Sequence, residues 1–429
     1  MLFLDSSTTN KNSKQNSSKD NNLMIINEYL YSMQTEINLS DSYKFTNTKL
    51  LTILSKFHKG KLFTKMERED IIGYLNSLRK PDDALHGWIG TYNLYRILLI
   101  RFFKWLYNPK LEPQQRLRPE VVQNIPKLKR KEVSIYKPTD LWTLEDDLLF
   151  LKWCPNKRDR CYHAISRDLS ARPHEILSLR TKDIVFKQVG NKQYAEVLVN
   201  GKTGTRHLPL IDSLPYIKEW IDQHPQRNNP EAFFICSMDR RNFCKQLTVR
   251  GLYGVYTRYE KKYFPRLLKD PIVPKEDKHK LELLLRKPWN PYIRRHSALT
   301  QKSTMLKEHT LRQHAGWSPR SQMHLKYLHY YGNESSTSLL QEYGILPKDN
   351  EEMDVLCPKQ CPNCNEPNRP DQKFCVKCKL ALTYEGWNEK EDELTALKEQ
   401  MAIMEQHQKT QSEILKHLTP ELLERIRKN

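Results

Sequence analysis

The chain has no long apolar run. Its most hydrophobic stretch, LYRILLIRFFKWLY, is broken by Arg96, Arg101 and Lys104. A spanning helix needs about 20 apolar residues in a row, so no membrane segment is expected. Met1-Leu-Phe-Leu gives way at once to Ser, Thr, Asn and Lys, and no secretory signal is expected either. No solenoid repeat is evident. Neither an amphipathic basic helix nor a lipidation motif stands out. Cysteine is sparse outside one cluster, with five of nine falling within residues 357–378. An odd, clustered set points to a reducing compartment and a metal site rather than a disulfide framework.

What is present is positive charge. Lys plus Arg number 71 against 51 Asp plus Glu, a net charge of +20. With 38% hydrophobic and 28% charged residues, the 429-residue chain reads as soluble and long enough for two or three domains. Its 21 Tyr and 8 Trp speak against wholesale disorder. Among the usual partners of a basic protein, nucleic acid leads. Charge alone does not say whether such a protein cuts, copies or coats.

Residues 1–20 are Ser, Asn, Lys and Thr with little that is apolar, which predicts a disordered tail. Residues 21–125 read as a small helical domain, with Leu23, Ile26, Tyr29 and Leu30 on one face. Residues 126–138 hold Pro126, Pro138 and the basic run Lys127, Lys129, Arg130 and Lys131. These predict an extended linker that can lie on nucleic acid. Residues 139–350 read as mainly α with one small antiparallel sheet. Its strands are Ile184–Phe186, Tyr194–Val199 and Arg206–Leu210, turning at Gly190-Asn191 and Gly201–Gly204. Residues 264–290 read as a long loop with a helix near Lys280–Leu285.

Cys361-Pro-Asn-Cys364 and Cys375-Val-Lys-Cys378 lie ten residues apart within 355–383. Two tight knuckles can close four thiolates around Zn²⁺, and four thiolates leave no open position, so the site is structural. An iron–sulfur or redox role is the alternative. Cys357 is a spare thiol, and Cys154, Cys161, Cys236 and Cys244 are packing residues. Residues 388–429 read as a helical, coiled-coil-like tail. Leu394, Leu397, Met401, Met404, Gln408, Gln411, Leu415 and Leu418 recur at alternating steps of three and four. Pairing between protomers, docking on the body, or a helix lying on its own domain all fit that seam. Thr419-Pro420-Glu421 starts a further short helix.

Four segments carry chemistry. LSARPHEILSL places Arg172 in a turn before a helix that bears Glu175. NGKTGTRHLPL places Lys202 at a hairpin tip. NPYIRRHSALT opens a helix with Arg294, Arg295 and His296. HAGWSPRSQMHLKYLHYYG follows with Trp317, Tyr327, His329, Tyr330 and Tyr331. Cleaving a phosphodiester builds negative charge on the nonbridging oxygens, which two guanidinium groups can hold. A lysine on a hairpin can protonate the leaving 5′ oxygen. A tyrosine hydroxyl can attack and keep the bond energy in a covalent link.

In this order the boxes resemble those of the tyrosine recombinase family, the phage-integrase and Xer-like enzymes. ARPHEIL is similar to the family's G-x-R-x-x-E box, GKTGTRHLPL to G-K-x-x-x-R-x-x-P-L, and PYIRRHS to H-x-L-R-H-[ST]. GWSPRSQMHLKYLH is similar to L-G-[HW]-S followed by Y-x-H. The resemblance covers about residues 21–345, and the zinc ribbon after it looks most like archaeal integrases. It implies the catalytic set Arg172, Lys202, Tyr292, Arg295, Trp317 and Tyr327. It further implies a helical core-binding domain that clamps double-stranded DNA together with the catalytic domain. A homotetramer on DNA, a 3′-phosphotyrosyl intermediate and no nucleotide cofactor are implied as well. The job implied is integration or excision of a mobile element, or chromosome dimer resolution, in a cytoplasmic, nucleoid-associated setting.

Two positions depart from the family. Tyr292 stands where most members have His, and Trp317 where many do. Neither shuttles protons well near neutral pH. A type IB-like topoisomerase and a non-catalytic DNA-binding regulator with a decayed core are the rival readings. Taken singly, Arg172 is most simply a solvated or salt-bridged residue and Tyr327 a packing one. His174, His207, His314 and His324 read as surface or packing residues, Glu175 and His296 as aids to the arginines.

Overall fold

Apolar spacing and side-chain caps set the first helices. In a computed structural model, residues 7–37, 39–83, 86–129, 136–201, 204–328 and 355–417 are described. The chain splits into two units, Met1–Ile135 and Tyr136–Asn429. The first holds α1 (Ser7–Glu36), α2 (Asp41–Phe57), α3 (Arg68–Asn76) and α4 (Trp88–Tyr107). Ile26, Tyr29, Leu30 and Met33 form the buried face of α1, whereas Leu23, expected on that face, is exposed. Tyr29 meets Phe102 of α4 edge-on at 5.2 Å. Asn22, 1% exposed, donates to Ser55 and the Lys61 carbonyl and accepts from the Phe63 N–H. That leaves no polar group of its side chain unpaired in the core.

α1 begins at Ser7, so the structure corrects the expected disordered tail from that residue on. Once the Ile26–Met33 face is anchored, each further turn needs no new nucleus. Lys127 and Lys129 are exposed. Between them Leu128 is held at both backbone groups by the Asn93 side chain. Arg130 and Lys131 lie outside the described residues.

The second unit is helical around a three-stranded antiparallel sheet. Its helices before the sheet are α5 (Leu144–Trp153), α6 (Lys157–Leu169) and α7 (Pro173–Leu177). The sheet is β1 (Ile184–Val189), β2 (Lys192–Gly201) and β3 (Gly204–Leu210), in the order β1-β2-β3. The register pairs Val189 with Lys192 and Gly201 with Gly204, so both turns fall where glycine predicts them. After it come α8 (Leu214–Gln223), α9 (Val249–Arg258), α10 (Phe264–Leu267), α11 (Lys275–Leu285), α12 (Pro291–Met305), α13 (Glu308–Ala315) and α14 (Leu325–Leu328). α10 and α11 fill much of the segment expected to be a long loop. Leu267, Leu281 and Leu284 are buried there, and that burial stabilises the helices. The chain is thus mainly α with a small antiparallel sheet.

β4 (Lys359–Gln360) and β5 (Pro367–Asn368) form a two-stranded ribbon, followed by α15 (Tyr384–His417). The ribbon packs against α8. Lys218 pairs with Glu366 at 2.6 Å and Arg369 with Glu219 at 3.3 Å. On α15, Leu394, Leu397, Met401 and Met404 are all exposed. Among the described residues the seam is thus exposed, which fits neither a helix lying on its own domain nor docking on the body. Thr419-Pro420-Glu421 falls outside the described residues. Among the described residues, no helix is long and apolar enough to cross a membrane.

Candidate active site

α6 ends at Ser170, whose φ of 46° is left-handed, an uncommon conformation for a residue with a Cβ. The turn aims the Ser170 carbonyl at Arg295, whose Nη1 donates to it at 2.6 Å. Two residues on, Arg172 caps α7, and Pro173 occupies the first helical position. Glu175 accepts from the Arg172 backbone N–H at 3.0 Å and from Arg172 Nη1 at 2.8 Å. Arg206 Nη2 donates to the same carboxylate at 2.8 Å. Burial works to raise the Glu175 carboxyl, but the bonds from Arg206 and Arg172 outweigh it and hold it below its ordinary value. The Arg172 side chain keeps 27% exposure, so a ligand can reach it.

Next along the chain is the β2–β3 hairpin. Lys202, at its tip, lies outside the described residues. Its neighbour Gly201 has no room for a Cβ, which would stand 2.6 Å from Glu175 Oε1.

α12 contributes Tyr292, Arg294 and Arg295. Asn290 caps it by accepting from the Tyr292 and Ile293 N–H groups. Successive residues on a helix point about 100° apart, so Arg294 and Arg295 face different surroundings. Arg294 is fully buried, paired with Asp147 and set over the Trp142 ring. Arg295 donates to Ser170 and, at 2.8 Å, to the Ala315 carbonyl. Burial first, then the charge of Arg172, brings its guanidinium down to about 10, with Tyr327 and Glu175 acting in the opposite direction. It stays charged at neutral pH. Tyr292 sits one turn earlier, beside Tyr162 and Tyr253. Its hydroxyl makes no hydrogen bond among the described residues.

α13 closes at Gly316, φ 63°, with the Trp317 N–H donating to the Arg312 carbonyl at 3.0 Å. Trp317 then stacks on Tyr327, ring centroids 5.4 Å apart. Tyr327 is 2% exposed and packs with Leu299, Leu311, Ala315 and Trp317. Its hydroxyl lies 3.1 Å from His296 Nδ1. With the proton on Nε2, Nδ1 is an acceptor for that phenol.

The structure therefore brings Arg172, Arg295, Trp317 and Tyr327 around one point. Tyr292 is on the same helix but makes no bond to that group. His329, Tyr330 and Tyr331 lie outside the described residues. Two residues had no role, or a different one, in the sequence reading. His296 meets the Tyr327 hydroxyl; no periodicity marks such a long-range contact. Arg206 was visible only as the fixed arginine of its box. Chemically, this arrangement offers two guanidinium groups for a tetrahedral oxyanion and an imidazole nitrogen for a phenol proton.

A second cluster stands apart. The Cys361, Cys364, Cys375 and Cys378 sulfurs lie within 4.8 Å of one another. Cys361 and Cys378 are 3.5 Å apart, and Cys364 and Cys375 3.6 Å. A tetrahedral site with metal–sulfur bonds of about 2.3 Å needs sulfurs roughly 3.8 Å apart, so the set fits a metal ion. Each knuckle turns through a left-handed residue, Asn365 or Lys379. Buried Asn368 braces the ribbon by accepting from the Val376 N–H at 2.8 Å. Cys357 is exposed and outside the cluster. Cys154, Cys161 and Cys236 are buried and Cys244 half-buried.

No family model matches the sequence, and neither does any curated protein. Among solved structures, the chain is similar to the Tn1549 transposon integrase in complex with transposon right end DNA. That match has 14% identity and a TM-score of 0.48, over 75% of this chain and 99% of that one. A lambda integrase dimer bound to a COC′ core site gives 13% identity and a TM-score of 0.48, over 72% and 77%. The XerH site-specific recombinase bound to palindromic difH substrate gives 16% and 0.46, over 77% and 96%. Integrases and site-specific recombinases solved on DNA are what this chain is similar to.

Proposed function

We propose that the chain is a tyrosine-type site-specific DNA recombinase. Tyr327 attacks the scissile phosphate, forms a 3′-phosphotyrosyl link and releases a 5′ hydroxyl. Arg172 and Arg295 hold the nonbridging oxygens as charge builds on them. Lys202 protonates the leaving oxygen, and His296 takes the phenol proton. Trp317 keeps the Tyr327 ring in place, and Tyr292 lines the same helix. Rejoining runs the steps in reverse with a new 5′ hydroxyl as nucleophile.

The observation that carries this reading is the Tyr327 hydroxyl held 3.1 Å from His296 Nδ1 and stacked on Trp317, on the segment that follows the Arg295 anchor at Ala315. The +20 net charge and the exposed Lys127 and Lys129 support a duplex as partner. Arg130 and Lys131 extend that basic linker. The four thiolates hold a structural zinc ion. The assembly on DNA is a homotetramer, and the work is integration or excision of a mobile element, or dimer resolution, at the nucleoid.

The test uses a pool of randomised duplexes, each nicked on one strand so that a cleaved fragment drifts away and traps the link. Wild-type protein yields a covalent protein–DNA adduct, and Tyr327→Phe yields none. An adduct that persists in Tyr327→Phe contradicts the assignment. Relaxation of supercoiled DNA without strand exchange would favour a topoisomerase instead.

A further inference from the structure

Arg206 is a charged side chain on β3 with only 7% exposure. Such a group needs its charge paired and its N–H groups bonded. Nη2 donates to Glu175 Oε2 at 2.8 Å, and Nε donates to the His314 carbonyl at 2.9 Å. Nη1 has no hydrogen-bond partner among the described residues. The guanidinium is threaded between two glycines. A Cβ at Gly316 would stand 2.6 Å from Nη1, and one at Gly201 3.0 Å from it.

Each group that Arg206 touches leads to a different part of the candidate site. Glu175 bonds Arg172 twice. His314 precedes Ala315, whose carbonyl holds Arg295. Gly316 precedes Trp317, which stacks on Tyr327. Gly201 precedes Lys202 at the hairpin tip. One buried side chain thus joins three segments that are far apart in sequence. Stability alone is a weak reason for it, because a buried ion pair is often matched by apolar residues of similar volume.

We propose that Arg206 is a positioning residue. It fixes the spacing of Arg172, the Gly201 end of the hairpin and the Trp317–Tyr327 stack without touching the reacting phosphate. The proposal rests on the recombinase reading above. Glu175 is the hub of the device. Arg206 occupies Oε2, so the Arg172 side chain spends a single nitrogen on Oε1. Without Arg206, Arg172 is the sole cation bonded to a buried carboxylate, and it is drawn inward, away from phosphate.

The test compares wild type with Arg206→Lys, which keeps the charge and loses the planar fork. Adduct formation on the nicked duplex pool and duplex affinity are measured separately, with amide hydrogen exchange across residues 200–207 and 308–317. The expected result is adduct formation slower by about 100-fold with affinity within about 2-fold of wild type. Exchange rises in both segments together. Adding Glu175→Gln costs little more, since the pair acts as a unit. An adduct rate within about 3-fold of wild type, or exchange unchanged in either segment, overturns the proposal. If wild type itself forms no adduct, the recombinase reading fails, and the exchange data alone decide the positioning role. If Arg206→Lys does not fold, Glu175→Gln carries the same comparison: rate loss without affinity loss supports the role, and parallel loss of both overturns it.

Discussion

Arg294 and Arg295 differ by one position and by about 100° around α12, and that angle gives them different surroundings. Arg294 faces Asp147, which also accepts from Arg167 at 2.6 Å and lies 3.2 Å from His163 Nε2. Arg295 faces the Tyr327 side. The buried network makes a pH prediction. Burial first, then the charge of Arg294, depress His163 to about 3, so the folded protein keeps it neutral where the unfolded chain protonates it. Such a base adds stability that is lost as pH falls through its unfolded value of about 6.5. Asp212 works the other way: burial and the neighbouring Asp168 raise it to about 7, so its contribution declines as pH rises. Comparing wild type with His163→Gln cancels Asp212. The difference in unfolding free energy between the two should shift by about 2 kcal/mol in favour of wild type from pH 5 to pH 7, read by denaturant melts. A pH-independent difference contradicts a neutral buried His163. At this scale Arg172, Arg295, Trp317 and Tyr327 stand out in the sequence because each sits in a short local box. His296 meeting Tyr327, and Arg206 meeting Glu175 and His314, depend on chain segments 31 to 108 residues apart, which no local pattern encodes.

The elements show where pattern reading succeeds and where it stops. The hairpin turns at Gly190 and at Gly201–Gly204 were legible because glycine marks them. α6, Lys157–Leu169, is an element that pattern does not mark. Every residue from Arg158 to Leu169 is buried, charged ones included, so no apolar stripe with a 3.6 period exists to be seen. The end of α13 gives a test of backbone demand. Gly316 combines a φ of 63° with a Cβ position 2.6 Å from Arg206 Nη1. Gly316→Ala should destabilise the fold by about 1–3 kcal/mol, measured by thermal melting; a melting point equal to wild type contradicts the packing described. The ribbon makes a second prediction. Metal analysis should give about one zinc per chain, lost in Cys361→Ser/Cys378→Ser. Unchanged zinc in that variant refutes the four-thiolate site.

Across the whole molecule, the +20 net charge becomes a statement about salt. A protein that neutralises phosphates releases counterions, and log affinity falls with log salt by about 0.9 per phosphate contact. Lys127→Ala/Lys129→Ala should flatten that slope by about 1–2, and an unchanged slope removes the linker from the interface. Composition reached as far as a basic protein with a cluster of cysteines. The proposed reaction rests on the order of four boxes, and the order gives no distances. Folding supplies them, by bringing Tyr327 of α14 onto His296 of α12 and by anchoring Arg295 at both Ser170 and Ala315.

The central claim is that Tyr327 is the nucleophile, with Tyr330 and Tyr331 close enough in sequence to compete. The most direct measurement is peptide mapping of the covalent adduct by mass spectrometry after nuclease trimming. The account predicts a nucleotide remnant on Tyr327 in the fragment spectra. A remnant on Tyr330 or Tyr331, with Tyr327 unmodified, would contradict it.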